Sequence, residues 1–324
     1  MPSRVLGNFS IASQVTLVIG LPLGGVLAGA FGWRALFLVN VPLALFTLAL
    51  TLYGVPKDAP VPDRGRQSLF TAVDVPGIAL FAGTIGSILI FLAGLANPAW
   101  WLLALSVALG VALVAWERRA PKPLVDVRML ARNGRLLRTY VRQMLASLGV
   151  YIALYGTSQW MEEAAHYSAS QVGLLLLPLS AISVLIARLV SDRGWVRVPL
   201  TLTGICLVLT GIVMFMITHT AGVTALIGMS LLFGLANGFS GYANQAALYT
   251  QSAAGEIAVA SGLYRTFVYF GAIFSSSLIG IAFGHTATDH GLHVIAGVIC
   301  TIGVLIALMA ALDRAIPARA DSRG

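Results

Sequence analysis

Ten stretches of about 20 apolar residues, each closed off by charge, proline or glycine, run through this sequence. They cover residues 10–30, 35–54, 74–96, 98–116, 139–160, 169–189, 199–218, 222–243, 259–283 and 291–312. A helix rises about 1.5 Å per residue, so a run of about 20 crosses the hydrocarbon core of a bilayer. The runs are continuous, not alternating, which fits helices and argues against barrel strands. The predicted fold class is an all-α polytopic membrane protein with ten transmembrane helices. Composition supports this where it counts: 58% of the 324 residues are hydrophobic and 10% charged, against about 25% charged in an ordinary soluble domain. Such a chain has no soluble interior large enough to hide its apolar surface, and it is far too hydrophobic to be disordered.

The basic residues give the orientation. With the N-terminus inside, 18 of the 20 Lys and Arg fall on inner segments. The largest group is the eight from Arg118 to Arg142, and Arg188, Arg193 and Arg197 bracket a later inner loop. Arg34 is outside and Arg265 lies within a span. This obeys the positive-inside rule, and an even number of spans independently returns both termini to the cytoplasm. The basic balance therefore reads as topology, and no nucleic-acid partner is implied. The expected location is the cell (inner) membrane, with membrane lipid as the surrounding partner.

Polar and small residues inside the spans mark candidate sites, because polar groups facing lipid are costly. Gly20, Pro22, Gly24 and Gly25 give the first span a flat, kinked face for close helix approach. Gln143, Ser147, Tyr151, Tyr155, Ser158 and Glu162 share one arc of the fifth span. Gly234, Asn237, Gly238, Gly241, Asn244 and Gln245 share one of the eighth, which suits a cavity wall or tight packing. Arg265 shares a face with Tyr269, Ala272, Ser276 and Gly280, either as a substrate contact or snorkelling to the surface. The substrate-cavity candidates are Gln143, Tyr151, Tyr155, Asn237, Asn244 and Arg265. Residues Gly20, Gly24, Ala28, Phe31 and Gly32 recur as Ala272, Ser276, Gly280, Phe283 and Gly284 at a constant offset of 252, an internal echo of the kind transporters show. No catalytic constellation, metal-ligand spacing or phosphate loop is present, so the chain reads as no enzyme, with no metal and no cofactor. No carboxylate sits deep in a span.

Several of these motifs resemble the major facilitator superfamily in its fourteen-helix drug:proton antiporter branch. The Gly20–Ala28 segment is similar to that branch's antiporter motif. Residues Gly32-Trp33-Arg34-Ala35-Leu36-Phe37-Leu38-Val39-Asn40-Val41-Pro42 resemble the W-R-x-x-F-x-x-N-x-P signature of the following helix. Arg188, Asp192, Arg193 and Gly194 resemble the second copy of the family's G-x-L-x-D-R-x-G loop, with Ala187 in place of its first glycine. Gly173–Pro178 and Ser261–Arg265 resemble further elements of the C-terminal half.

The resemblance implies a domain plan. Residues 1–55 would be the last two helices of an N-terminal bundle and 56–73 a cytoplasmic loop. Residues 74–116 would be the inserted helix pair, 117–138 a basic cytoplasmic loop, 139–312 a complete C-terminal six-helix bundle and 313–324 a cytoplasmic tail. It implies a secondary active transporter, exporting small amphipathic or drug-like molecules with protons as the coupling ion. By this plan the chain lacks the family's first four helices. The alternative expectation is therefore a truncated, transport-incompetent fragment of such a transporter.

Overall fold

In the computed structural model the chain is all-helical, and the description below covers residues 20, 23–25, 27–54, 74–94, 98–120, 133–252 and 257–319. Most of the first predicted span, Pro22 included, lies outside the described residues. The named helices are α1 (Trp33–Leu38), α2 (Asn40–Gly54), α3 (Val75–Ala93), α4 (Trp100–Glu117), α5 (Gly134–Glu163), α6 (Ala169–Arg193), α7 (Arg197–Met216), α8 (Val223–Gln251), α9 (Ile257–Phe283) and α10 (Asp289–Leu312). Among the described residues eight stretches are long and apolar enough to cross a membrane, against the ten expected; α1 and α2 count as one from Trp33 to Gly54, and α5 is not among them. A lipid environment explains the uniformity: helices satisfy their own backbone groups, and open strands do not.

Residues 23–129 form one compact unit. Within it α3 and α4 make a hairpin. Asp74 caps α3 by accepting the Gly77 N–H at 3.0 Å and accepts the Trp116 indole N–H at 2.8 Å, which ties the start of α3 to the end of α4. Ser106 donates to the Thr84 carbonyl midway, at 3.1 Å.

The second unit holds α5–α10, a six-helix bundle. Its helices are closely paired: α5 with α9, α6 with α8, and α7 with α10. Glycine makes each pairing possible. A Cβ on Gly271 would meet the Met144 carbonyl of α5 at 2.5 Å, and one on Gly238 the Ser183 carbonyl of α6 at 2.7 Å. Gly204 and Gly303 oppose one another across α7 and α10, where a Cβ on either would meet the other's carbonyl at 2.5 and 2.7 Å. Small residues let backbones touch, and in lipid that contact area replaces the hydrophobic drive available in water. Pro178 lacks an N–H inside α6, and next to it the Leu179 amide is bonded by Ser230 Oγ of α8 at 3.1 Å.

Several helix ends depart from the sequence expectation: α5, α6 and α8 run on past the expected spans, whereas α3 and α7 stop short, at Ala93 and Met216. α5 starts at Gly134, not 139, because Asn133 caps it by accepting the Leu136 N–H at 3.1 Å. α8 continues to Gln251, past the expected 243. The internal echo has a structural counterpart. Gly32 and Gly284 both take positive φ, 75° and 61°, and each donates its N–H four residues back, to Ala28 at 3.0 Å and Gly280 at 2.9 Å. Both helix ends need the residue that tolerates this conformation.

Candidate functional site

The polar centre of the bundle lies in the first half of α5. Arg142, counted among the inner basic residues although it falls within the expected span 139–160, lies in the helix and is fully buried, at 0% exposure. Asn133 starts α5 well before it, and the intervening turns carry Arg142 in among α8 and its neighbours. Its Nε donates to Asn244 Oδ1 at 2.9 Å and its Nη2 to Thr139 Oγ1 at 3.1 Å. Thr139 in turn donates to Gln251 Oε1 at 2.8 Å. Asn244 is also fully buried and donates to the Ser240 carbonyl and hydroxyl, both at 3.3 Å. The buried guanidinium is thus held by neutral groups, and its Nη1 has no hydrogen-bond partner among the described residues. A buried cation held this way is expensive unless another charge or polar group meets it at some stage of the working cycle.

The candidates chosen from the sequence divide between packing and exposure. Gln143 is buried, donating to Ser147 Oγ at 3.0 Å. Asn237 donates to Ser183 Oγ of α6 at 2.9 Å, and Gly234 and Gly238 lie against that helix's backbone. Of the two readings open for this arc of α8, the structure favours packing. Tyr151 and Tyr155 stack with ring centroids 5.6 Å apart, and Tyr155 is 49% exposed. On α9, Tyr269 is 58% exposed and neighbours Tyr151. Arg265, one turn before it, is exposed and makes no ion pair among the described residues. The paired helices α5 and α9 therefore present phenols and a guanidinium on a surface, while Asn237 and Asn244 bond across helices and Gln143 bonds within α5.

In the loop motif, Arg188 and Asp192 form an exposed i,i+4 pair at 3.9 Å, and Arg193 lies 4.7 Å from the Trp195 ring centroid. Gly194 ends α6 at φ 63°, the left-handed position a glycine fills without strain. Among the described residues, a Cβ on Gly20 would meet nothing within 4 Å, and one on Gly24 only the tip of Leu36 at 4.0 Å.

Two further polar features were not among the site residues chosen from the sequence. Glu117, which reads there as the start of a basic loop, ends α4 at 1% exposure beside Gly77. At the far end of α5, Asp289 collects the Trp160 indole N–H at 2.9 Å, the His219 amide at 3.0 Å and the His219 ring at 2.8 Å. Beside it Glu163 accepts the Ala287 N–H at 2.6 Å and the Gln159 amide at 2.9 Å, bonds that hold its carboxyl below the ordinary glutamate range. The arginines of α5 had a legible signal: positions 135, 138 and 142 are helically spaced, but the expected loop hid it.

Residues 2–276 match the family model of the Major Facilitator Superfamily. The chain belongs to that superfamily. Its members are membrane transporters, not enzymes, and this chain is a multi-pass membrane protein. It is 31% identical over 291 residues to the uncharacterized MFS-type transporter YwoD of Bacillus subtilis (strain 168), a match covering 88% of this chain and 64% of that protein. It is 28% identical to multidrug resistance protein Stp of Mycobacterium tuberculosis, over 71% of this chain and 43% of that one. It is 31% identical to drug efflux pump JefA of the same organism, over 74% of this chain and 47% of that one. The chain thus spans between 43% and 64% of the length of these curated relatives.

Proposed function

We propose that this superfamily member serves secondary active efflux of small amphipathic molecules, coupled to protons, with its Asn133 end and both termini toward the cytoplasm. One observation carries the reading. The α5–α9 pair exposes Tyr155, Tyr269 and Arg265 beside the half-buried Tyr151. Phenols and a guanidinium facing lipid are costly, so that surface is best explained as the wall of a protein-lined, wet cavity. Aromatic faces with a few polar tips suit an amphipathic cargo. Resistance and efflux proteins among the relatives support the same class. Tyr151, Tyr155 and Arg265 are then the cargo contacts, while Asn237 and Asn244 set the helix positions behind them. The antiporter motif around Gly20, Gly24 and Gly25 and the loop motif from Arg188 to Gly194 would serve the rocking of the two halves.

The test is dye accumulation in everted vesicles with an imposed pH gradient, with a full-length relative in parallel. Expected is accumulation that collapses when the gradient is dissipated, and that falls with Tyr151→Ala. If the relative accumulates dye and this chain does not, the second reading stands, that of a transport-incompetent part of such a transporter. In single-cysteine variants, positions 151 and 155 are expected to react with a water-soluble thiol reagent. Silence at both would argue for packing and against a cavity.

A further inference from the structure

We propose that the Asn133 end of the six-helix bundle carries a binding pocket for a phosphate-type oxyanion. A cleft of about 440 Å³ there is lined by Asn133, Arg135, Thr250, Gln251, Ala315 and Pro317. It joins the start of α5, the end of α8 and the segment after α10. The argument rests on which hydrogen-bonding groups are already committed.

The side-chain acceptors of Asn133 and Gln251 are taken. Asn133 Oδ1 receives the Leu136 N–H, Gln251 Oε1 receives the Thr139 hydroxyl, and the Gln251 carbonyl receives Asn133 Nδ2 at 3.1 Å. Asp313, the carboxylate beside the cleft, receives Arg138 through both oxygens at 3.0 and 3.1 Å and the Ala315 N–H at 3.1 Å. The donors are not all taken. Gln251 Nε2 is buried with no partner, and Arg135 makes no ion pair among the described residues. Behind this wall, linked to Gln251 through Thr139, lies Arg142 with its spare Nη1.

Among the described residues, the one carboxylate paired with the arginines 135, 138 and 142 of this helix is Asp313, and Arg138 occupies it. Among the described residues, the cleft lining holds no carboxylate. A guanidinium fork and an amide N–H₂ converge well on a tetrahedral oxyanion with several acceptor oxygens. The cleft is larger than a bare ion needs, so it also admits a phosphate with a substituent. Two sources share this chemistry: a soluble phosphate and the headgroup of an anionic phospholipid. The proposal depends on the reading above only for the face from which the anion arrives, the cytoplasmic one.

The experiment uses the purified 324-residue chain in nanodiscs and reads thermal unfolding, since a ligand that binds only the folded state raises Tm. In phosphatidylcholine discs, inorganic phosphate is expected to raise Tm with saturation, beyond the effect of sodium chloride at the same ionic strength. In discs containing phosphatidylglycerol, a headgroup ligand would raise Tm without phosphate and leave phosphate no further effect. Either outcome supports the pocket and identifies its source. Arg135→Gln, on an exposed side chain that does not hold the bundle together, is expected to abolish the shift. Arg118→Gln, which removes an exposed cation of the other unit, is expected to keep it. A shift unchanged in Arg135→Gln, a shift matched by chloride, or no shift from either source would overturn the proposal. The readout needs no transport, so its failure leaves the efflux reading standing.

Discussion

The α7–α10 seam and the α5–α8 contact join helices of the same bundle by opposite means. Across the first, Gly204 faces Gly303 and Gly211 faces Ala296 and Cys300, with backbone lying against backbone. Across the second, Arg142 and Asn244 are hydrogen-bonded while fully buried. The seam gains its stability from contact area that requires the absence of side chains. The polar contact spends stability on desolvating a cation and recovers part of it through bonds to an amide and a hydroxyl. A contact of the first kind has little reason to change during a working cycle. One of the second kind is poised to change partners.

Substitutions can break this contrast. The largest effect is expected at the seam. Gly204→Leu would place a side chain where even a Cβ comes within 2.5 Å of the Gly303 carbonyl. Overpacking of this sort costs about 3 kcal/mol or more. Gly280→Leu makes the control, because a Cβ there meets nothing within 4 Å among the described residues. Thermal unfolding in detergent should show a large fall in Tm for the first and a small change for the second. Equal falls would mean that the seam is no tighter than an open helix face.

Next comes an asymmetry within the polar contact. Asn244→Leu removes the acceptor and strands a buried guanidinium, at an expected cost of about 2–3 kcal/mol, the range for a bond to a charged group. Arg142→Met removes the charge itself at similar volume, and replacing a buried charge by an apolar group is often neutral. Its stability is expected to stay within about 1 kcal/mol, while vesicle efflux falls. If both variants lose the same stability, Arg142 is a structural anchor and the contrast fails.

The smallest effect belongs to the far end of α5. The carboxyl of Glu163 titrates below its ordinary range because the Ala287 N–H and the Gln159 amide bond its charged form. A depressed folded pKa contributes stability above the unfolded pKa and loses it as pH falls through the folded one. Unfolding followed from neutral to acid pH should therefore show wild type losing a small increment that Glu163→Gln lacks throughout. The side chain is solvated, so salt should shrink the increment further. Curves that stay parallel over that range would remove Glu163 from the account.

The helices were legible because the bilayer demands about 20 apolar residues and leaves few other solutions. Their ends were not, since residues such as Asn133 and Gln251 belong to helices that extend beyond the apolar run. Glycine arcs were legible as tight faces, but spacing alone could not say that Gly234 and Gly238 face α6. Arg142 was hidden for a physical reason. The positive-inside rule counts an arginine near a span end as a topology signal, and only the three-dimensional neighbourhood turns it into a buried cation. The exposed Tyr155 and Arg265 were legible as polar positions, while their accessibility was not.

The seam also has a consequence in time. Gly204 and Gly303 are separated by 99 positions of chain. At a synthesis rate of about 5–20 residues per second, α7 is complete about 5–20 s before the residue it must meet has been made. For that interval its glycine groove has no α10 to close against, and lipid or a wrong helix can enter. The same small residues that make the finished contact so close leave the half-made protein with its most open flank.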